Sequence, residues 1–199
     1  MKPTPALTWS EVGSREAALI ARCTAGDEDA CAELVDEHHR LVYQLALNLL
    51  GDAQEALDLS QEVFLRVFRT LPSFRGQSTL RTWIYRITVN QAKNRLRWWH
   101  RRRRALQVSI DDHQRDHGEL PTEDVTALPD RVLRQHELSA RLQAALDSLP
   151  FDQRTAIVLR EIDGLSYEEI AFSLGVAVGT IKSRLARARE SLRAQLKGV

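Results

Sequence analysis

Apolar residues recur three and four positions apart along most of this chain, and that spacing restricts the fold to packed helices. Leu34, Leu41, Leu45 and Leu49 are separated by 7, 4 and 4, and Val63, Phe64, Val67, Phe68 and Leu71 by 1, 3, 1 and 3. Leu138, Leu142, Ala145 and Leu149 repeat at 4, 3 and 4, as do Ile181, Leu185, Ala188 and Leu192. No convincing two-residue alternation competes with these stripes, so the predicted class is all-α. Gly51-Asp52 breaks the first stripe and Leu71-Pro72-Ser73 ends the second. A long helix is predicted from near Thr79 past Leu96, and Pro150 forces a boundary after Leu149.

Charge divides the chain where periodicity alone does not. From Val63 to Ile110, 48 residues carry 12 Lys or Arg and no Asp or Glu, although the whole chain holds 27 acids. A solvated helix face normally mixes signs through i,i+4 pairing, so a block without acid points to a polyanionic partner, nucleic acid ahead of an anionic membrane surface. Asp111 to Asp130 then places seven acids against the single Arg115, with Gly118, Pro121 and Pro129 and little apolar periodicity. This reads as an acidic flexible linker between two small helical domains. From Val176 onward six basic residues face the lone Glu190. The net charge of +1 conceals two cationic surfaces.

The last unit has helix-turn-helix grammar. Phe151 to Gly164 forms a helix that glycine can close, and Ser166 with Glu169 has the spacing of a capping box. A short helix ends near Gly175, and a turn through Val176 to Gly179 leads to a third helix. Its apolar stripe is buried by neighbours while Lys182, Ser183 and Arg187 face elsewhere, as major-groove reading demands. A three-helix protein-binding module would share this grammar.

Three segments, DLSQEVFLRVFRTLPSF (58 to 74), SFRGQSTLRTWIYRITVNQAKNRLR (73 to 97) and LREIDGLSYEEIAFSLGVAVGTIKSRLARAR (159 to 189), resemble in that order the sigma-70 family, specifically its extracytoplasmic-function group. The resemblance divides the chain into a tail (1–13), a region 2 helical bundle (14–104), the linker (105–134) and a region 4 helix-turn-helix domain (135–199). It implies an alternative sigma factor that binds core RNA polymerase and directs initiation at promoter DNA. It also implies that the helix holding Asp58, Gln61, Glu62 and Arg66 docks on the coiled-coil clamp of the polymerase's largest subunit.

By the same resemblance, Phe74, Arg75, Gln77 and Ser78 receive a base of the minus-ten element turned out of its stack. Asn90 and Asn94, one turn apart, then address base edges while Arg81, Arg86, Lys93 and Arg95 hold phosphates. Trp83 and Ile84 read as core residues, Phe74 either as a base platform or as a seal on the domain, and Trp98 to Arg104 either as a phosphate clamp or as a basic tail. Minus-thirty-five recognition falls to Lys182, Ser183, Arg184 and Arg187, with Arg160, Tyr167 and Thr180 on the backbone. The linker is then either a nucleic-acid mimic in the polymerase's RNA exit path or a plain tether. An anti-sigma protein is an expected partner.

No catalytic residue, metal, cofactor or small-molecule substrate is expected. Asp58 and Glu62 stand at i,i+4, but no HxxxH, CxxC, Walker or nucleophile motif accompanies them, and His38-His39 has no nearby ligand partner. Cys23 and Cys31 stand eight apart and read as ordinary small side chains. The N-terminus shows no leader pattern and no apolar run approaches about 18 residues. The expectation is a cytoplasmic protein without direct membrane insertion. The competing classes are a stand-alone helix-turn-helix regulator and a metal-dependent nuclease.

Overall fold

The computed structural model describes residues 14–107 and 130–196, with side chains over 15–102 and 138–196. The tail and the acidic stretch as far as residue 129 lie outside the described residues, as do the side chains of Arg103 and Arg104. All the regular structure described is helical.

The first unit holds α1 (Ser14–Thr24), α2 (Glu28–Leu50), α3 (Ala53–Thr70) and α4 (Leu80–Gln107). Asp27 caps α2 by accepting the Ala30 N–H, and Gly51 ends it at φ +73, its own N–H donated to Leu47 O. Asp52 at once caps α3 by accepting the Glu55 N–H, so the Gly51-Asp52 break is a left-handed stop joined to a new start. A 3-10 turn, Leu71–Ser73, ends α3. α4 opens on Thr79, whose hydroxyl accepts the Thr82 N–H, while Glu16 from α1 accepts the Leu80 N–H at 3.1 Å. A carboxylate there also meets the positive end of the helix dipole. Leu34, Val42, Leu45 and Leu49 of α2 close the core with Leu59, Val63 and Val67 of α3 and Ile84 and Tyr85 of α4.

The second unit holds α5 (Asp130–Asp147), α6 (Phe151–Ile157), α7 (Tyr167–Leu174) and α8 (Val178–Gln195). α6 runs on into a wider π-helical turn, Val158–Ile162, where the Asp163 N–H reaches Val158 O. Gly164, at φ +74, then turns the chain. The Ser166/Glu169 capping box forms in both directions and Gly175 ends α7. Ile181, Leu185 and Ala188 of α8 are buried.

The two units are packed together. α7 lies along α4: Ser173 Oγ donates to Thr82 O at 3.4 Å, Thr82 Oγ1 donates to Glu169 Oε1 at 3.4 Å, and Arg86 stacks over Phe172. Beneath them Arg154 Nη1 donates to Leu49 O and pairs with Asp147, each at 2.8 Å, so a guanidinium of the second unit satisfies an orphan carbonyl ending α2. Gly51 lies against the Asp147 carboxylate, where an added Cβ would stand 2.8 Å from Oδ2, and its φ of +73 is what favours glycine there.

Candidate polymerase and nucleic-acid interfaces

α3 turns Leu59, Val63, Phe64 and Val67 inward, which leaves Asp58, Gln61, Glu62 and Arg66 on its outer face. Leu57 and Leu65 flank Gln61 there at 48% and 62% exposure, and neither serves the core of this chain. Both leucines therefore present apolar side chains to solvent among the polar groups of this face. Sequence reasoning passed over them, although 57, 61 and 65 are spaced by four and lie off the buried stripe.

Arg95 of α4 joins this face to the basic helix, its two terminal nitrogens engaging Glu55 and Glu62, each at 2.5 Å. It is therefore neutralised by α3 rather than presented outward. Asn90, Asn94, Arg81 and Arg86 remain exposed along α4. Farther on, Asn94, Arg97, His100 and Arg101 line an open basic cleft of about 550 Å³, and Arg102 stacks on Trp98.

The loop before α4 alternates. Phe74 and Ser78 are buried, and Arg75 and Gln77 are exposed on either side of Gly76, which sits at φ +66. Phe74 packs on Trp83 with ring centroids 5.2 Å apart, and the Ser78 hydroxyl donates to Thr79 O. In this conformation the aromatic pair seals the bundle, and of Phe74, Arg75, Gln77 and Ser78 it is Arg75 and Gln77 that reach outward.

In the second unit Lys182, Ser183 and Arg187 project from α8 opposite its buried stripe, with the Ser183 hydroxyl on Thr180 O. Arg160 donates to Leu165 O at 2.7 Å and lies over the Tyr167 ring. Arg184 pairs with Asp152 at 2.7 Å, and the other oxygen of that carboxylate takes Lys93 at 3.1 Å. Asp152 thus holds one cation from each unit. Nearby, Asp163 faces Tyr85 and Arg81: burial raises its carboxyl to about 6, partly offset by the Tyr85 hydroxyl and the Arg81 charge. Burial likewise pushes the Tyr85 phenol up to about 12, so it stays protonated.

A further surface was missed. Leu142, Leu146, Ile157, Ile162, Leu192 and Leu196 line an open apolar groove of about 660 Å³. Leu142 and Ile162 are 41% and 51% exposed. The 4, 3 and 4 spacing groups Leu142 with the buried residues of α5, since periodicity identifies a face but not whether that face is covered.

Among the described residues no helix is long and apolar enough to cross a membrane, and no group of three or more His, Cys, Asp or Glu is placed to hold a metal.

The sigma-70 region 2 model matches residues 34–104, the first unit, and the sigma-70 region 4 model matches residues 139–192, the second. RNA polymerase sigma-H factor of Pseudomonas aeruginosa is 39% identical over 174 residues, 87% of this chain and 90% of that protein. The extracytoplasmic-function factor SigE of Mycolicibacterium smegmatis is 39% identical over 188 residues, 93% of this chain and 70% of that protein. Among solved structures, the sigma factor RpoE of Bartonella quintana, in complex with the anti-sigma factor NepR, aligns with a TM-score of 0.61 at 29% identity, covering 84% of this chain and 96% of that one. These relatives are transcription initiation factors rather than enzymes, and the chain belongs with them, as a sigma-70 family factor of the extracytoplasmic-function group.

Proposed function

We propose that this factor delivers core RNA polymerase to promoters by dividing its surface between α3, α4 and α8. The outer face of α3, with Asp58, Gln61, Glu62, Arg66 and the two exposed leucines, takes the polymerase clamp. α4 reads the minus-ten element through Asn90 and Asn94, with Arg75, Gln77, Arg81, Arg86 and the Arg97–Arg101 cleft on the backbone. α8 reads the minus-thirty-five element through Lys182, Ser183, Arg184 and Arg187. The carrying observation is the juxtaposition of an exposed acidic and leucine-bearing face on α3 with an acid-free helix beside it, Arg95 joining the two. Its partners are core polymerase, promoter DNA and an inhibitory anti-sigma protein of the kind found with RpoE, all met in the cytoplasm.

In the packed arrangement described above, α7 covers part of α4, so the reading implies that the two units separate before they engage a promoter. Phe74 and Ser78 belong to the reading only if the loop reorganises around a flipped base, since both face inward here.

Run-off transcription with purified core polymerase tests the proposal. Initiation at defined sites should require this chain. Tight binding of the chain alone to an operator, with no polymerase-dependent initiation, overturns the reading. Asn90→Ala is expected to weaken one promoter class selectively. Arg101→Ala should weaken holoenzyme binding on every sequence and lower the salt slope by about 1. Equal losses on all promoters from both variants contradict the division of roles.

A further inference from the structure

Cys23 and Cys31 match no dithiol or metal spacing, yet the fold sets them sulfur to sulfur. Cys23 lies in the last turn of α1 and Cys31 in the first turn of α2. The chain reverses between them at Gly26, which sits at φ +90, and the Asp27 N–H closes the turn on Arg22 O. Their Sγ atoms are 2.6 Å apart, closer than two unbonded sulfurs pack. A disulfide places its sulfurs about 2.05 Å apart, so bond formation needs a shift of roughly half an ångström.

The two thiols are not equivalent. Cys23 is 8% exposed, and burial, with the Cys31 sulfur beside it, pushes its thiol up to about 12. It holds its proton, whereas Cys31 is only partly buried and is the sulfur a small solute reaches first.

We propose that Cys23 and Cys31 form a redox modification site at which a peroxide closes an intrachain disulfide that fastens α1 to α2. The Cys31 sulfur attacks a peroxide oxygen, the O–O bond breaks, water leaves and Cys31 becomes a sulfenic acid. The Cys23 sulfur then attacks the Cys31 sulfur, the S–O bond breaks, and the departing hydroxide takes the Cys23 proton as water. Two thiols are oxidised, one peroxide is reduced, and two waters form.

The bond acts on the proposed reading helix at one remove. Outside its apolar contacts, α1 is held to α2 by Arg15 with Glu33 and Glu37 and by Arg22 with Asp27 and Glu33. Ion pairs this exposed hold weakly. α1 in turn supplies Glu16 to the first turn of α4. Fastening α1 therefore preserves the cap on α4 under the oxidising conditions that form the bond. The chemistry does not depend on the functional proposal above, because its readout is covalent.

The test uses the reduced full-length chain, whose two cysteines leave one possible internal pairing. Hydrogen peroxide should remove both titratable thiols from the monomer and lower its mass by about 2 Da, reversed by dithiothreitol. Cleavage at Asp27 to Asp29 should leave two fragments joined until reductant is added. Hydrogen exchange of α1 amides should slow in the oxidised chain and stay unchanged in peroxide-treated Cys31→Ala, a variant at the less buried position. Retention of both thiols, a gain of about 16 or 32 Da in place of the loss, or only chain-to-chain dimers would each overturn the site.

Discussion

Asp163 shows how one side chain couples ionisation to packing in this molecule. Its Oδ2 is buried without a hydrogen-bond partner. Burial raises its carboxyl to about 6 from the ordinary 3.8. A raised carboxyl contributes stability that is complete below its unfolded value and lost as pH rises through about 6. His38 has the opposite sign: burial lowers its imidazole, so its contribution is complete above 6.5 and lost on acidification. Between pH 7.5 and 5 the two oppose each other in the wild-type chain. Asp163→Asn should therefore stabilise the protein at pH 7.5 by about 1–3 kcal/mol, an advantage that shrinks towards pH 4. Thermal denaturation across that range measures it. An advantage independent of pH would remove Asp163 from the titration, and His38→Gln should make the melting temperature fall less on acidification.

At the scale of the helix, α3 shows both what the sequence discloses and what it withholds. Its buried face was legible because Val63, Phe64 and Val67 recur at helical spacing, and its ends because Asp52 and Pro72 are residues that start and stop helices. The outer face was legible mainly as polarity: Leu57 and Leu65 share it at a spacing of eight, but polar Gln61 between them interrupts the row, so it does not stand out as the buried stripe does. The loop before α4 was illegible for another reason: whether Phe74 faces in or out is decided by Trp83, nine residues on, after the chain has folded. The π-helical turn at Val158–Ile162 likewise leaves no mark in a pattern read at 3.6 residues per turn. Leu65→Asp should change folding stability by no more than about 0.5 kcal/mol, because the residue is exposed. If α3 takes the clamp, the same change should weaken binding to core polymerase by tenfold or more, the order expected for a buried interfacial leucine that becomes a charge. Competition against a labelled wild-type factor measures it, and undiminished affinity would exclude Leu65 from the interface.

Across the whole molecule, the packing of the two units engages the cations that the proposed function needs free. Lys93 belongs to the proposed minus-ten helix and Arg184 to the proposed minus-thirty-five helix, and both end on Asp152. A carboxylate thus occupies positions that two phosphates would claim. Both pairs are partly exposed, so each contributes at most about 1 kcal/mol, and the arrangement rests mainly on α7 against α4 and on Arg154 bridging α2 and α5. A latch of that strength biases the equilibrium between packed and separated units without fixing it, and a ligand that binds only the separated state can overcome it. Asp152→Ala removes the latch while leaving Arg154 in place. The free chain should then expand in small-angle X-ray scattering, and promoter binding by the reconstituted holoenzyme should strengthen by about two- to tenfold, the range that roughly 0.5–1.4 kcal/mol allows. Asp152→Asn should fall between, because an amide keeps the shape but not the charge. An unchanged radius of gyration together with unchanged promoter affinity would mean that Asp152 is a bystander to two cations that DNA reaches unaided.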